Sequence, residues 1–299
     1  MKHLAILAAA LASLSVAPPV GAQDAAQRRL WNAPAEPFRI VGNVYYVGTA
    51  GLSSFLIADS AGLVLIDGAL PESAPLIAAN IRRLGFRLRD IRYLLNNHSH
   101  VDHAGGLAAL QRASGARVVV SAGDRADLIA GRTIGRSDIS GFPPVRPSLT
   151  IRDGATIAVG KTRLVAHLTP GHTDGATTWS LRTGERGKPL DVLFVSSLSV
   201  AGRRLVTRAD PADQIRGRPP HDTAAVAQFR GTFRRLATMR ADVVLSYHAE
   251  LFDLAAKRKA QLAGDPASFV DRTALPRMVA DARTAFERAL VEQRRSPQS

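Results

Sequence analysis

The chain has 299 residues, no cysteine and a formal net charge of +14, with 46% hydrophobic and 21% charged residues. That is an ordinary globular composition, long enough for one large domain or two small ones. Without cysteine there can be no disulfide, no thiolate nucleophile and no thiolate-held metal, so any metal must sit on histidine and carboxylate. The positive charge is nearly all arginine and is spread along the chain, as at Arg82 and Arg83, Arg234 and Arg235, and Arg294 and Arg295. No basic block is interleaved with aromatics, so a solvated surface is expected and a nucleic-acid partner is not.

The chain opens "MKHLAILAAALASLSVAPPVGAQ". Lys2 and His3 make a basic start, residues 4–17 are apolar, and Val20 and Ala22 are small. This pattern predicts a secretory signal over residues 1–22, removed after Ala22, with a single domain over 23–299 exported to the periplasm. The apolar run is too short to span a bilayer, so no membrane anchor is expected after cleavage. Short β-branched runs follow, "FRIVG", "VYYVG", "SFLIA" and "LVLIDG", separated by turn residues; they read as an antiparallel meander.

"PESAPLIAANIRRLG" reads as a helix capped by Ser73, with Pro75 in its first turn, Ile77, Ile81 and Leu84 on one face and Gly85 at its end. "IRYLLN" is a strand, "AGGLAALQRASG" a helix closed by Gly115, and "ARVVVS" a strand. Residues 131–147 have no periodicity and read as a long mobile loop. The second half repeats the pattern, with strands at "TRLVAHL", "TTWSL", "DVLFVSS" and "DVVLSYH". One helix has Val226, Phe229, Phe233 and Leu236 on a face, and a last helix has Val279, Ala282, Phe286 and Leu290. Two such halves can stack sheet against sheet with helices outside.

The chemistry concentrates in "LLNNHSHVDHAGG". His98, His100, Asp102 and His103 fall within six positions, in a chain with eight histidines. In extended backbone His98 and His100 point the same way, and the turn into the next helix swings Asp102 and His103 to a neighbouring direction. Imidazole and carboxylate together suit zinc, at about 2.0–2.2 Å. His172 in "TPGHTDG" and His248 in "LSYHAE" also sit just past strands. His167 lies within a strand and His221 in a Pro-rich loop, so neither is expected to be a ligand.

"HSHVDH", "PGHT", the histidine of "LSYHAE" and the upstream "LVLIDG" resemble the motifs of the metallo-β-lactamase superfamily. "WNAPAEPFRIVGNVYYVGTAGLSSFLI", "GFRLRDIRYLLNNHSHVDHAGGLAALQRASGARVVVS", "HLTPGHTDGATTWS" and "SSLSV" bring the likeness closest to subclass B3. The resemblance implies an α/β, four-layer αββα sandwich, two mixed sheets flanked by helices. It implies about two zinc ions per chain. His98, His100 and His172 would hold the first; Asp102, His103 and His248 would hold the second. Asp67 would steady the metal loop, or serve only as a turn residue.

The position after the strand that follows "GHT" separates relatives. Thioester-hydrolysing members carry a metal-bridging aspartate there; this chain has Ser197, the B3 pattern, with Ser199 two residues on. The resemblance implies hydrolysis of the β-lactam amide of penicillins, cephalosporins and carbapenems by a metal-bound hydroxide that Asp102 orients as the catalytic carboxylate. Ser197 and Ser199 would anchor the substrate carboxylate. Trp31 either lines the cleft or packs an amino-terminal arm, and the 131–147 loop would form a flap. The protein is expected to act as a monomer on a small-molecule substrate.

The chain departs from the B3 pattern in lacking a disulfide and in carrying Asp174 where proline is usual. Two other readings remain at this stage. A lactonase or thioesterase of the same fold would share every ligand. A basic, non-enzymatic envelope binder would need no metal.

Overall fold

The computed structural model describes residues 20–134, 136, 140–207 and 221–295. Residues 1–19, which hold most of the expected signal, lie outside them; helix α1, Val20–Trp31, begins the described chain. The first sheet contains β1 (Phe38–Val41), β2 (Val44–Tyr46), β3 (Phe55–Asp59), β4 (Gly62–Ile66), β5 (Ile91–Leu95), β6 (Arg117–Ser121) and β7 (Leu149–Ile151), in that spatial order. Its first four strands pair antiparallel, as the turn-punctuated meander predicts, and its last four pair parallel. The change falls at β4, whose five residues are all buried, as an apolar run covered on both faces must be.

The second sheet runs β12 (Val243–Ser246), β11 (Lys188–Val195), β10 (Thr177–Glu185), β9 (Thr162–Leu168) and β8 (Thr156–Val159). Only its β11–β12 pair is parallel. The edge strand β8 alternates exposed and buried residues, presenting one face to water and the other to the core. The two sheets pack face to face over a shared core in which Phe55, Tyr46 and Phe194 gather near the fully buried Trp179.

Helices cover both outer faces. On the first sheet lie α2 (Ala74–Arg83), α3 (Val101–Ala104), α4 (Leu107–Ser114) and α5 (Arg125–Ala130). On the second lie α6 (Ala224–Thr238) and α8 (Ala274–Arg295), whose Phe229, Phe233, Phe286 and Leu290 form a separate apolar cluster; α7 (Leu254–Leu262) lies beyond β12. The result is the four-layer αββα sandwich, with the faces of α6 and α8 turned inward as their periodicity requires.

Three local expectations need correction. Ser73 does not cap α2: its hydroxyl donates to Asn32 Oδ1 at 2.6 Å, because a short 3₁₀ turn at Pro71–Ser73 leads into the helix and turns that side chain away. The helix expected from the histidine cluster onward is split at Gly105 and Gly106. A Cβ on Gly106 would lie 2.1 Å from the carbonyl oxygen of Gly68, so the split lets the "LIDG" turn press against the helix pair. The loop over 131–147 is pinned in part, since Phe142 and Val145 are buried against the α2–α4 side of the first sheet. Backbone bonds from Phe142 N to Gly131 O at 2.7 Å and from Val145 N to Leu128 O at 2.9 Å hold that stretch.

Candidate metal centre

The candidate site residues gather along one rim of the sandwich, most of them just past a strand and Asp102 and His103 in α3. Asp67 follows β4, His98 and His100 follow β5, His172 lies between β9 and β10, Ser197 and Ser199 follow β11, and His248 follows β12. Residues distant in sequence therefore meet where the carboxyl ends of parallel strands from both sheets open to one side.

The structure brings all six candidate ligands together. Ring nitrogens of His98, His100 and His172 lie within 4.8 Å of one another, and His172 Nε2 stands 3.0 Å from His100 Nδ1. Donor atoms of His98, Asp102 and His103 form a second such group. His248 joins it through Asp102: Oδ2 of Asp102 lies 3.1 Å from His103 Nε2 and 3.1 Å from His248 Nε2. Trp31 reaches the rim as well, its ring edge-on to His248 at 5.0 Å. Ser197 is buried, with its Oγ 3.1 Å from that of Ser199, which is exposed.

His172 and His98 are each aimed by the bond at the other ring nitrogen. His172 Nδ1 donates to the carbonyl of Ser199 at 2.7 Å, leaving Nε2 for the centre. His98 Nδ1 donates to Asn97 Oδ1, and the Asn97 amide donates in turn to Asp67. Asp67 also accepts from Asn97 N at 2.8 Å and lies 3.5 Å from His103 Nδ1. It holds a positive φ of 63°, a strained position for a residue with a side chain. That backbone twist turns one carboxylate onto the supports of both histidines, so Asp67 does more than close a turn.

Burial sets the charges. It pushes His98 and His172 well below the usual imidazole range, and neighbouring imidazoles add to the effect. His100 is pushed down by burial to about 4, although Asp102 opposes this. Burial works against charge on Asp102 too, but His103 and His248 hold it well below the usual carboxylate range. His103 is the converse: burial disfavours its cation, yet Asp102 and Asp67 outweigh burial and raise it to about 9. Burial raises Asp67.

These residues fit a metal. Both nitrogens of His103 and Nε2 of His100 are buried without a hydrogen-bond partner, and neutral imidazoles face each other across the centre. Buried polar atoms left so are costly, and a cation there would use one ring-nitrogen lone pair of each imidazole, His103 giving up its proton to supply its own.

The same charges predict the pH response of chelator-treated protein. His103 has a folded pKa of about 9 against an ordinary 6.5, so its contribution is complete below pH 6.5 and is lost as pH rises through 9. The loss should be on the order of 3 kcal/mol. His98, His100 and His172 act oppositely, since their depressed values withdraw stability as pH falls below 6.5. Thermal melts of the chelated protein should therefore peak near neutrality, and a melting temperature still rising from pH 7 to 9 would contradict this charge assignment.

Sequence reasoning passed over three residues here. Asn97 was legible in "LLNNHSH" as a polar group ending an apolar strand. Tyr247 packs edge-on to His98, His103 and His248, with ring centroids 5.6, 5.3 and 5.0 Å away. Ser197 donates to its hydroxyl at 2.9 Å. Asp124, buried after β6, reads in the sequence only as an ordinary helix cap. Asp174, at the position where proline is usual, accepts from Arg203 and, at 3.1 Å, from Gln228 Nε2. It thus ties the His172 loop to α6 and to the segment after Ser199. His167 stays in its strand, bonded to Ser180 Oγ at 2.8 Å, and His221 is exposed.

Comparison with known proteins agrees with this geometry. The metallo-beta-lactamase superfamily model matches residues 48–248. The crystal structure of BJP-1, a subclass B3 metallo-β-lactamase of Bradyrhizobium japonicum, superposes with a TM-score of 0.82 at 34% identity, covering 91% of this chain and 99% of that one. A metallo-β-lactamase of Cronobacter sakazakii gives a TM-score of 0.79 at 37% identity, covering 88% and 97%. Among curated sequences, a hydroxyacylglutathione hydrolase of Anaeromyxobacter dehalogenans is 32% identical over 41% of this chain and 39% of that enzyme. The chain spans less than half the length of the first curated relatives it matches. With histidines converging at the strand ends of a four-layer sandwich and a family match that runs through all of them, the chain belongs to the metallo-β-lactamase superfamily.

Proposed function

We propose that the protein is a zinc-dependent β-lactamase of the subclass B3 type, opening the β-lactam amide of penicillins, cephalosporins and carbapenems. The observation that carries this reading is Ser197. A bridging aspartate marks the thioester-hydrolysing relatives, and here the position holds a buried hydroxyl bonded to Tyr247 and Ser199. Among the described residues, Asp102 is the one carboxylate in the candidate metal groups. Similarity to B3 enzymes across about nine-tenths of the chain supports the same reading.

His98, His100 and His172 would hold one zinc, and Asp102, His103 and His248 a second. When bound, zinc supplies Lewis-acid polarisation of the carbonyl and lowers the pKa of water to about 7. The chain's own residues do the rest. Asp102, ionised and facing the centre, accepts a hydrogen bond from the attacking water and fixes its approach. Ser199 offers its hydroxyl to the substrate carboxylate, and Ser197 does so by turning its proton away from Tyr247, whose hydroxyl then donates to Ser197 Oγ. With neutral imidazoles and a single carboxylate as ligands, bound zinc would leave the site electropositive, which favours an anionic substrate. Export to the periplasm, through a signal over residues 1–22, would place the enzyme where β-lactams act.

The test is hydrolysis of a carbapenem, a chromogenic cephalosporin and a hydroxyacylglutathione thioester by purified protein, with and without chelator. We expect the two β-lactams to be turned over, chelator to abolish turnover, and the thioester to be a poor substrate. Preferred thioester hydrolysis would instead place the protein with its curated relatives. Trp31→Ala should raise KM by up to about tenfold with kcat little changed, the worth of one aromatic contact at the rim. A fall in kcat alone would mean that Trp31 acts through His248 and not on the substrate.

A further inference from the structure

We propose that Asp124 is a positioning residue that sets the spacing of His98, His100 and His172, and with it the affinity of the first metal set. Asp124 occupies the N-cap position of α5, where an aspartate usually spends its carboxylate on the first N–H groups of its own helix. It makes no such bond. Its Oδ2 accepts instead from Ser99 N at 3.0 Å and Thr173 Oγ1 at 2.9 Å, and its Oδ1 accepts from Gly175 N at 2.8 Å. Ser99 stands between His98 and His100, and Thr173 follows His172. One carboxylate thus joins the two loops that carry the three ligands.

The surrounding contacts serve the same clamp. Ser99 is fully buried, and all its polar groups are bonded to the stretch around α5: its N–H to Asp124, its hydroxyl to Asp127 Oδ2 at 2.8 Å, and its carbonyl to Thr133 Oγ1 at 3.0 Å. On the other side Ser121 Oγ donates to the carbonyl of Gly175 at 2.6 Å. A Cβ at Gly175 would lie 2.1 Å from Ser121 Oγ and 2.3 Å from Asp124 N, so the His172 loop is pressed against this turn as closely as backbone allows. His172 Nε2 and His100 Nδ1 come to 3.0 Å across the joint. The second set is supported elsewhere, His103 by Asp67 and His248 by Asp102. The asymmetry is what makes the role specific: loosening Asp124 frees the His172 loop from the turn that carries His98 and His100, whereas the contacts of Asp102, His103 and His248 with one another and with Asp67 include no bond to Asp124.

The test rests on the two-set assignment and measures zinc affinity directly, by competition with a chelating dye. His248→Ala isolates the first set and His172→Ala the second. Asp124→Asn keeps the shape but turns an amide toward Ser99 N or Gly175 N; Asp124→Ala removes every bond. In the His248→Ala background, Asp124→Asn should weaken zinc binding by about 10–100-fold, the usual cost of losing a group that orients ligands, and Asp124→Ala should weaken it further. In the His172→Ala background the same substitutions should change affinity by less than about threefold, a small part of that cost. Equal weakening in both backgrounds would show general loosening and overturn the proposal, as would no weakening in the first. If the Asp124 variants do not fold, Thr173→Val removes one clamp bond at constant shape and should weaken the first set alone, by about three- to tenfold. Wild-type zinc stoichiometry in His248→Ala or His172→Ala would sink the two-set assignment, and the role of Asp124 with it.

Discussion

Asp102→Ala should lower kcat/KM for a carbapenem by about 10²–10⁴-fold, the range over which a positioned acid–base group contributes. One oxygen joins two histidines: Asp102 Oδ2 lies 3.1 Å from His103 Nε2 and 3.1 Å from His248 Nε2. Removing it leaves two imbalances. His103, completely buried, owes most of its raised pKa to Asp102, so it loses the charge that holds it in place. The centre loses its one carboxylate among the candidate metal groups, and with it the acceptor that would orient water. Asp102→Asn separates the two, since it keeps a hydrogen-bonding oxygen and removes the charge. Activity of Asp102→Asn should fall between wild type and Asp102→Ala. Zinc content should drop in the alanine variant, in step with the loss of the second set. A kcat/KM for Asp102→Ala within tenfold of wild type would remove Asp102 from the reaction.

The parts of this site legible in the sequence share a cause. His98, His100, Asp102 and His103 are local, and a strand-to-helix turn can aim four such side chains without any knowledge of the rest of the fold. His172 and His248 announce themselves by standing just past apolar runs. The sandwich is legible for the same reason, because apolar alternation and helix periodicity are local properties that packing then respects. The residues that aim the ligands are not local. Asp124 meets Ser99 and Gly175 across 25 and 51 positions. As an aspartate at the head of a helix it reads as an ordinary cap. Asp67 is placed at the right turn by its motif, but its reach to Asn97 and His103 depends on a positive φ that composition does not reveal. The loop over 131–147 fails differently. Phe142 and Val145 lack periodic neighbours, so their burial against the first sheet leaves no pattern.

Ser197→Asp should retain or tighten zinc while lowering β-lactam kcat/KM at least tenfold. Ser197 is almost completely buried beside Ser199 and Tyr247, on the side of the centre where the substrate carboxylate is proposed to bind. A carboxylate there removes one unit of positive charge from the site and puts a like charge against the substrate's own. At ~4 Å and an effective dielectric near 20, two such charges repel by ~4 kcal/mol before relaxation. A third of that is about tenfold in rate or affinity. The Tyr247 hydroxyl, 2.9 Å from Ser197 Oγ, can donate to the new carboxylate and hold it in the site, so relaxation away from the substrate is restricted. Ser197→Ala removes a hydroxyl without adding charge and should cost much less than Ser197→Asp, near the low end of the about 0.5–1.5 kcal/mol that one hydrogen bond contributes. The two variants therefore separate charge from contact. Added salt should partly restore Ser197→Asp, by screening the repulsion at the open side of the site, and leave Ser197→Ala unchanged. If Ser197→Asp binds zinc normally and hydrolyses β-lactams at the wild-type rate, electrostatics does not choose the substrate. Selectivity would then have to come from the shape of the rim, where Trp31 stands against His248.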